Sequence, residues 1–353
     1  MEFNFLNFLC IWPQTISKRR RSPYNEIMES KNTEINSNTA KALTDAARDM
    51  ISANRANDAA QAAPSSASPR SALVMEGGAM RGMFTCGVID VLMENGITFD
   101  AASGISAGAV FGCNYKSHQI GRAIRYNKKY CKDPRYSSFR SLMKTGDFFG
   151  ADFCYREIPD ELDIFDRETF AKEPMEFYIG ATDVLTGEIR YHRCIDGGMK
   201  DIEWMRASAS MPILSKVVRI DGHQLLDGGI SDAIPYSYME ELGYRKNVIV
   251  LTQPEGYEKK KSSKVLFKMF LRKYPAIVEA MGKRHIMYNR QLEEVRKKEA
   301  SGESLVIRPP EDLKIGRACK KPEELERVYQ IGRAEAKRRL PEIRKFLGQQ
   351  TAQ

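Results

Sequence analysis

The five residues Gly104-Ile105-Ser106-Ala107-Gly108 constrain the fold of this chain more than any other stretch. They stand between a strand-like piece, ITFDAAS, and the run AVFGCNY. The pattern G-x-S-x-G in that context predicts the sharp strand-to-helix turn that lifts a nucleophilic oxygen clear of a sheet. The flanking glycines let strand and helix approach closely, and the helix directs its positive end at the serine. Such a turn needs a strand ending where a helix begins, and the neighbouring sequence supplies that alternation. Short apolar runs, ALVM, ITF, EFYIG and NVIVLT, alternate with helical patterns such as MFTCGVIDVLMEN, where Phe84, Val88, Val91 and Leu92 share one face. This predicts an α/β core around a mostly parallel sheet.

The texture divides the 353 residues into three parts. Residues 22–70 are polar and rich in Ala and Ser, so they bury too little to offset ordering entropy, and with the short apolar tail MEFNFLNFLCIWPQ before them residues 1–70 read as a disordered arm. Residues 71–254 carry the α/β pattern of a catalytic domain. Residues 255–353 are charged and helix-prone, broken by the strand-like SLVIRPP, with a last helix expected to carry Pro322 in its first turn. No run approaches the roughly 18 apolar residues of a membrane span. The seven cysteines form no C-x-x-C pair and suit a reducing, cytoplasmic setting.

A second glycine turn, Val74-Met-Glu-Gly-Gly-Ala-Met-Arg-Gly82, follows the first apolar strand. Backbone N–H groups of Gly77, Gly78 and Ala79 there can bind a developing oxyanion, with Arg81 expected to brace the loop and Gly82 to close it. A rival reading is dinucleotide binding, with Asp100 as the acidic residue about 20 positions on. Against it, the strand ending near Asp100 runs at once into the serine turn. The serine needs a base. None of His118, His192, His223 and His285 sits in a tight strand-end turn, although His285 fits the Ser, Asp, His order of α/β-hydrolases. In HQLLDGGISDAIP, Asp227 reads as the first polar residue of a buried strand end, uncovered by the turn Gly228-Gly229. A desolvated carboxylate can be tuned upward from its ordinary pKa of about 3.9 and serve as base. Asp196 in CIDGGMK is a decoy, read as an exposed hairpin turn.

Together, EGGAMRG, GISAG and DGG, in this order and spacing, resemble the patatin-like phospholipase family, and WMRASASMPILS extends the likeness over about residues 71–254. The resemblance implies a patatin-like three-layer core, a Ser106–Asp227 dyad without histidine, an oxyanion loop from Gly77 to Gly82 and hydrolysis of lipid acyl esters. A dyad with a backbone oxyanion hole has no role for a metal ion and the sequence shows no ligand cluster, so neither metal nor cofactor is expected. Ala79 stands where the family usually has a third glycine, and its methyl is tolerable only at negative φ. A Ser-His-Asp carboxylesterase and a catalytically idle lipid-binding scaffold remain the alternatives.

Charge is unevenly spread. Residues 255–353 hold 25 Lys and Arg against 14 Asp and Glu, while the whole chain is at +9. Within them, residues 259–273 set seven basic groups around Leu266, Phe267, Phe270 and Leu271, the pattern of a basic amphipathic helix on an anionic membrane. The same helix could instead pack its apolar face on the core. No recognition motif accompanies the charge, so nucleic acid is not expected.

Overall fold

The computed structural model describes residues 69–349. The arm assigned to residues 1–70 therefore lies outside the described residues, save Pro69 and Arg70. The strands are β1 (Ser71–Met75), β2 (Ala101–Ile105), β3 (Glu176–Asp183), β4 (Ile189–Cys194), β5 (Val218–Ile220), β6 (His223–Asp227), β7 (Lys246–Val250) and β8 (Ser304–Ile307). Between and after them run α1 (Met83–Glu94), α2 (Ala107–Lys116), α3 (Arg122–Tyr130), α4 (Phe139–Thr145), α5 (Arg167–Lys172), α6 (Met199–Ser208), α7 (Tyr236–Glu241), α8 (Lys264–Phe270), α9 (Pro275–Ser301) and α10 (Pro322–Leu347). An irregular helical stretch spans Phe153–Leu162.

Strands β8, β7, β1, β2 and β3 lie side by side and parallel, each covered on both faces by helices. That is the arrangement in which strands read as unbroken apolar runs. β2 is the exception. The apolar ITF precedes it, and the strand itself is AASGI, because small side chains let α2 pack directly on it. A Cβ on Gly104 would stand 2.3 Å from the Gly108 carbonyl oxygen, and one on Gly108 would stand 2.4 Å from that of Met75.

The pairing of β3 brings two distant segments together. β2 and β4 both pair with residues 177–180 of β3, so they occupy opposite edges of it. β6 pairs antiparallel with Ala181–Asp183, two of which β4 also pairs, so β6 lies on the edge of β2 and takes over where β2 stops. Ile105 faces Gly180 and Asp227 faces Ala181, which sets Ser106 and Asp227 end to end.

The helix pattern of residues 83–94 predicts one apolar face, yet α1 is buried all round from Met83 to Leu92. The cause is α10, which crosses its outer side so closely that a Cβ on Gly87 would meet the Tyr329 carbonyl oxygen at 2.1 Å and one on Gly332 that of Phe84 at 2.1 Å. Tyr329 Oη donates to Asp90 Oδ2 at 2.7 Å and Arg333 pairs with Glu94 at 2.7 Å. The basic region thus supplies an outer strand, β8, and the cover of α1. Residues 71–254 do not close their core alone.

Gly332→Ala should lower unfolding free energy by about 3 kcal/mol or more, since its methyl meets backbone that cannot yield. Gly316→Ala, in open space, should stay within about 0.5 kcal/mol. Denaturant unfolding of both variants checks this.

Candidate active site

Ser106 sits in the turn between β2 and α2 with φ 54° and ψ −116°. A non-glycine residue there carries strain on the order of 1–3 kcal/mol, tolerated only where the surroundings fix it. Here they do. The Ser106 N–H donates to Ser208 Oγ at 2.9 Å, and that hydroxyl donates to the Gly180 carbonyl at 2.6 Å. Ser106 Oγ in turn donates to Asp227 Oδ2 at 2.7 Å.

Asp227 ends β6 and is 6% exposed. Its Oδ1 accepts the Gly229 N–H at 2.8 Å, its own N–H donates to the Ser210 carbonyl at 2.8 Å, and Thr182 Oγ1 donates to its carbonyl at 2.9 Å. Burial raises its carboxyl above the ordinary carboxylate range, opposed by the Arg284 charge, the Ser106 hydroxyl, the Gly229 N–H and Arg317. Gly228 has no room for a side chain, since a Cβ would stand 2.2 Å from the Gly180 carbonyl oxygen.

The glycine loop closes the third side. A Cβ on Gly77 would stand 3.1 Å from that of Ser106, one on Gly78 would stand 2.6 Å from Thr252 Oγ1, and one on Gly82 2.8 Å from Ala107 Cβ. The Gly77 N–H points at the Ala233 carbonyl at 3.5 Å, whereas those of Gly78 and Ala79 donate to nothing among the described residues. The condition set for Ala79 is not met: its φ is +50°, so the methyl stands in the left-handed region that glycine favours, at a cost of roughly 1–2 kcal/mol. Arg81 does not brace the loop through its side chain. The Arg81 backbone N–H does so, donating to the Gly78 carbonyl at 3.1 Å, while the buried Nε has no partner among the described residues.

An apolar cavity of about 80 Å³ opens at Ser106, lined by Ala79, Met80, Val110, Phe111, Tyr126, Tyr136, Phe149, Tyr155 and Met211. The walls come from α2, α3 and the segment 136–155.

The rival readings meet specific obstacles. Asp100 precedes β2 and its Oδ2 accepts the Ser71 N–H at 2.6 Å, at the opposite end of the strand from where a ribose-binding carboxylate stands. His118, His192 and His223 bond to Glu173, Asp201 and Asp183, and none of the four histidines bonds to Ser106 or Asp227. Asp196 is exposed and leads from β4 into α6, a strand-to-helix turn in place of the expected hairpin. His192, Cys194 and Asp201 do converge beside it, within 4.8 Å. Asp201 Oδ2 there accepts the N–H groups of Ile195, Asp196 and Gly197, and Oδ1 bonds His192, so the carboxylate is spent on the turn.

Residues 73–239 match the model of the family described as patatin-like phospholipase. This segment belongs to that family. The patatin-like domain is 29% identical to YjjU, an uncharacterized protein of Escherichia coli K12, over 190 residues that cover 52% of this chain and 52% of YjjU. It is 29% identical to a patatin-like phospholipase domain-containing protein of Caenorhabditis elegans, covering 49% of this chain and 13% of that one. Patatin-like phospholipase domain-containing protein 7 of Rattus norvegicus is 26% identical over 49% of this chain and 13% of its own length. The chain thus spans about half of the first relative and a small part of the other two. Residues 274–348 match a second family model, described as a domain of unknown function.

Sequence reasoning missed Ser208 and Ser210, although both stand in the quoted WMRASASMPILS. One four-residue stretch, Ala207–Ser210, holds the Ser106 amide by a hydroxyl and the Asp227 amide by a carbonyl.

Asp227→Asn tests whether this carboxylate is structural. A buried carboxyl with a raised pKa binds its proton more tightly in the folded state, so folding loses stability as pH rises through that range. The variant should unfold at an equal or higher temperature near neutral pH, with the gap closing toward acid. Calorimetry across pH checks this.

Proposed function

We propose that this chain is a serine acyl hydrolase of the patatin type, acting on lipid acyl esters through Ser106 and Asp227. The observation that carries the reading is the 2.7 Å hydrogen bond from the hydroxyl of a strained Ser106 to the buried Asp227, at the end of an apolar cavity. Ser106 Oγ attacks the ester carbonyl carbon while its proton passes to Asp227 Oδ2. The carbonyl π pair moves onto oxygen, where the Gly78 and Ala79 N–H groups receive the charge. Collapse expels the alcohol, which takes the proton from Asp227. Water then attacks the acyl-serine, gives its proton to Asp227, and releases the fatty acid as Ser106 is reprotonated. Gly77, Gly104, Gly108, Gly228 and Gly229 shape the turns that allow this approach. The apolar lining suits an acyl chain.

In this reading, the contact with a lipid surface falls to part of residues 259–273. Leu271 is buried and Phe267 packs against the core, but Met269 and Phe270 are 57% and 42% exposed beside the exposed Lys268, Arg272 and Lys273. Among the described residues no helix is long and apolar enough to cross a membrane. Co-sedimentation of a Met269→Asp, Phe270→Asp variant with anionic vesicles tests that contact; undiminished binding would remove it.

Hydrolysis of short-chain esters by purified protein tests the chemistry. Ser106→Ala and Asp227→Asn should each lose on the order of 10⁴ to 10⁶ in kcat, with no further loss in the double variant, because the two act as a unit. Asp196→Asn should be nearly silent. The acid limb of kcat/KM should lie above the ordinary carboxylate range, since the base works ionised and burial raises its pKa. Replacing Arg284, whose charge opposes that rise, should move the limb further up. A folded Asp227→Asn variant with full activity would sink the dyad.

A further inference from the structure

Beside the dyad stand four cations that the proposed chemistry does not use. Arg81 belongs to the glycine loop, Lys259 precedes α8, Arg284 lies on α9 and Arg317 lies between β8 and α10. Three of them fall outside residues 73–239, the segment matched to the phospholipase family, and two fall inside residues 274–348.

The fold fixes the placement of Arg284 and Lys259. Arg284 Nε donates to the Gly229 carbonyl at 2.5 Å, two residues from Asp227. Lys259 is pinned to α9 by two bonds with Asn289, at 2.8 and 3.1 Å, and its ammonium lies 4.4 Å from the Tyr288 ring centre. Tyr288 Oη donates at 2.5 Å to Glu76, the residue that opens the glycine loop. Arg317 is exposed, and its charge acts on Arg81, Arg284 and Asp227.

No carboxylate pairs with any of the four among the described residues. Elsewhere in the same basic region several cations are matched, among them Lys283 with Glu279, Arg290 with Glu294, Lys297 with Glu293 and Arg327 with Glu324. Two carboxylates act on the cluster. Glu76 is occupied by Thr252 and Tyr288, and Asp227 by Ser106 and Gly229. The imbalance is felt by the cations themselves, for burial, then Arg284, pull Lys259 down to about 8, against Glu76. Arg81 Nε, buried and unpartnered, faces the same need for an acceptor. Like charges held together in partly buried surroundings are costly unless an anion joins them.

We propose that Arg81, Lys259, Arg284 and Arg317 form a phosphate-recognition site next to the dyad, so that residues 274–348 complete the substrate site of the patatin-like domain. A phosphate offers several acceptor oxygens and up to two negative charges, which suits guanidinium forks better than one carboxylate does. None of the four lines the apolar cavity. Hydrocarbon and phosphate would therefore be held by different residues, with the ester at Ser106 between them. This rests on the acyl-hydrolase reading for the lipid, but not for the binding of phosphate itself.

Two measurements separate the sources and the premises. The first is calorimetric titration of inorganic phosphate into the full-length Ser106→Ala protein and into the same protein carrying Arg317→Gln or Lys259→Gln. Each added change should weaken binding about tenfold or more, and Arg317→Lys should restore part of it. The second is the ratio of kcat/KM for dihexanoyl phosphatidate over dihexanoylglycerol, which should favour the phosphate ester and fall about tenfold or more in either Gln variant. Preference for the phosphatidate identifies a head-group phosphate. Phosphate binding lost in the Gln variants without that preference identifies free phosphate, and either result supports the site. Phosphate binding with no ester hydrolysed at all would end the hydrolase reading and leave this one standing. Hydrolysis of both esters at equal rates, with no phosphate binding that the Gln variants weaken, would overturn the inference.

Discussion

Everything at the site depends on the exchange of partners along one edge of β3. β2 stops at Ile105, and β6 continues antiparallel from Asp227, so a residue at the end of one strand and a residue at the end of another, 121 positions away, come within a hydrogen bond. A wholly parallel sheet would leave that edge filled by β2 alone. Because backbone pairing fixes strand ends far more tightly than side-chain packing fixes loops, the Ser106 to Asp227 distance is a property of the sheet. The left-handed turn at Ser106 adds strain, and the Ala207–Ser210 stretch restrains it by bonding both partners.

Close backbone approach is the second constraint, and it recurs at each layer. Gly104 and Gly108 bring α2 onto β2 and β1, Gly77 and Gly78 bring the first loop against Ser106 and Thr252, and Gly87 with Gly332 brings α10 onto α1. The first two sets shape the site. The third attaches the basic region to the core, and with it the segment that carries Arg284 and Arg317. A region that reads as an appendage in the sequence is therefore part of the site's surroundings.

Much of this was legible in the chain. The turn at Ser106, the glycine loop and the D-G-G at Asp227 carry their chemistry in local residue types, and β1, β3, β7 and β8 stand where apolar runs predict them. The presence of β2 before the turn was legible but its bounds were not, because a strand built of AASGI for close helix packing lacks the apolar signature, and ITF next to it has one. The burial of all of α1 was not legible either, since its cover comes from some 240 residues further on. Ser208 and Ser210 look like any small polar residues until the sheet sets them beside the dyad. The positive φ of Ala79 follows from a loop geometry that no side-chain pattern encodes. Of the four cations, Arg81 stands in the glycine-loop motif, while Lys259, Arg284 and Arg317 share no motif; for those three only the unequal charge of residues 255–353 pointed in their direction.

The central claim is that Ser106 is made nucleophilic by Asp227 alone. Reaction of the full-length protein with a fluorophosphonate, followed by intact mass and peptide mapping, tests it most directly, because phosphonylation needs no knowledge of the natural ester. The account predicts one adduct per chain, on Ser106, formed at least about 100-fold more slowly in folded Asp227→Asn and at the unaltered rate when each histidine is replaced. An adduct on another residue, or labelling that survives loss of Asp227 and fails with loss of a histidine, would contradict it.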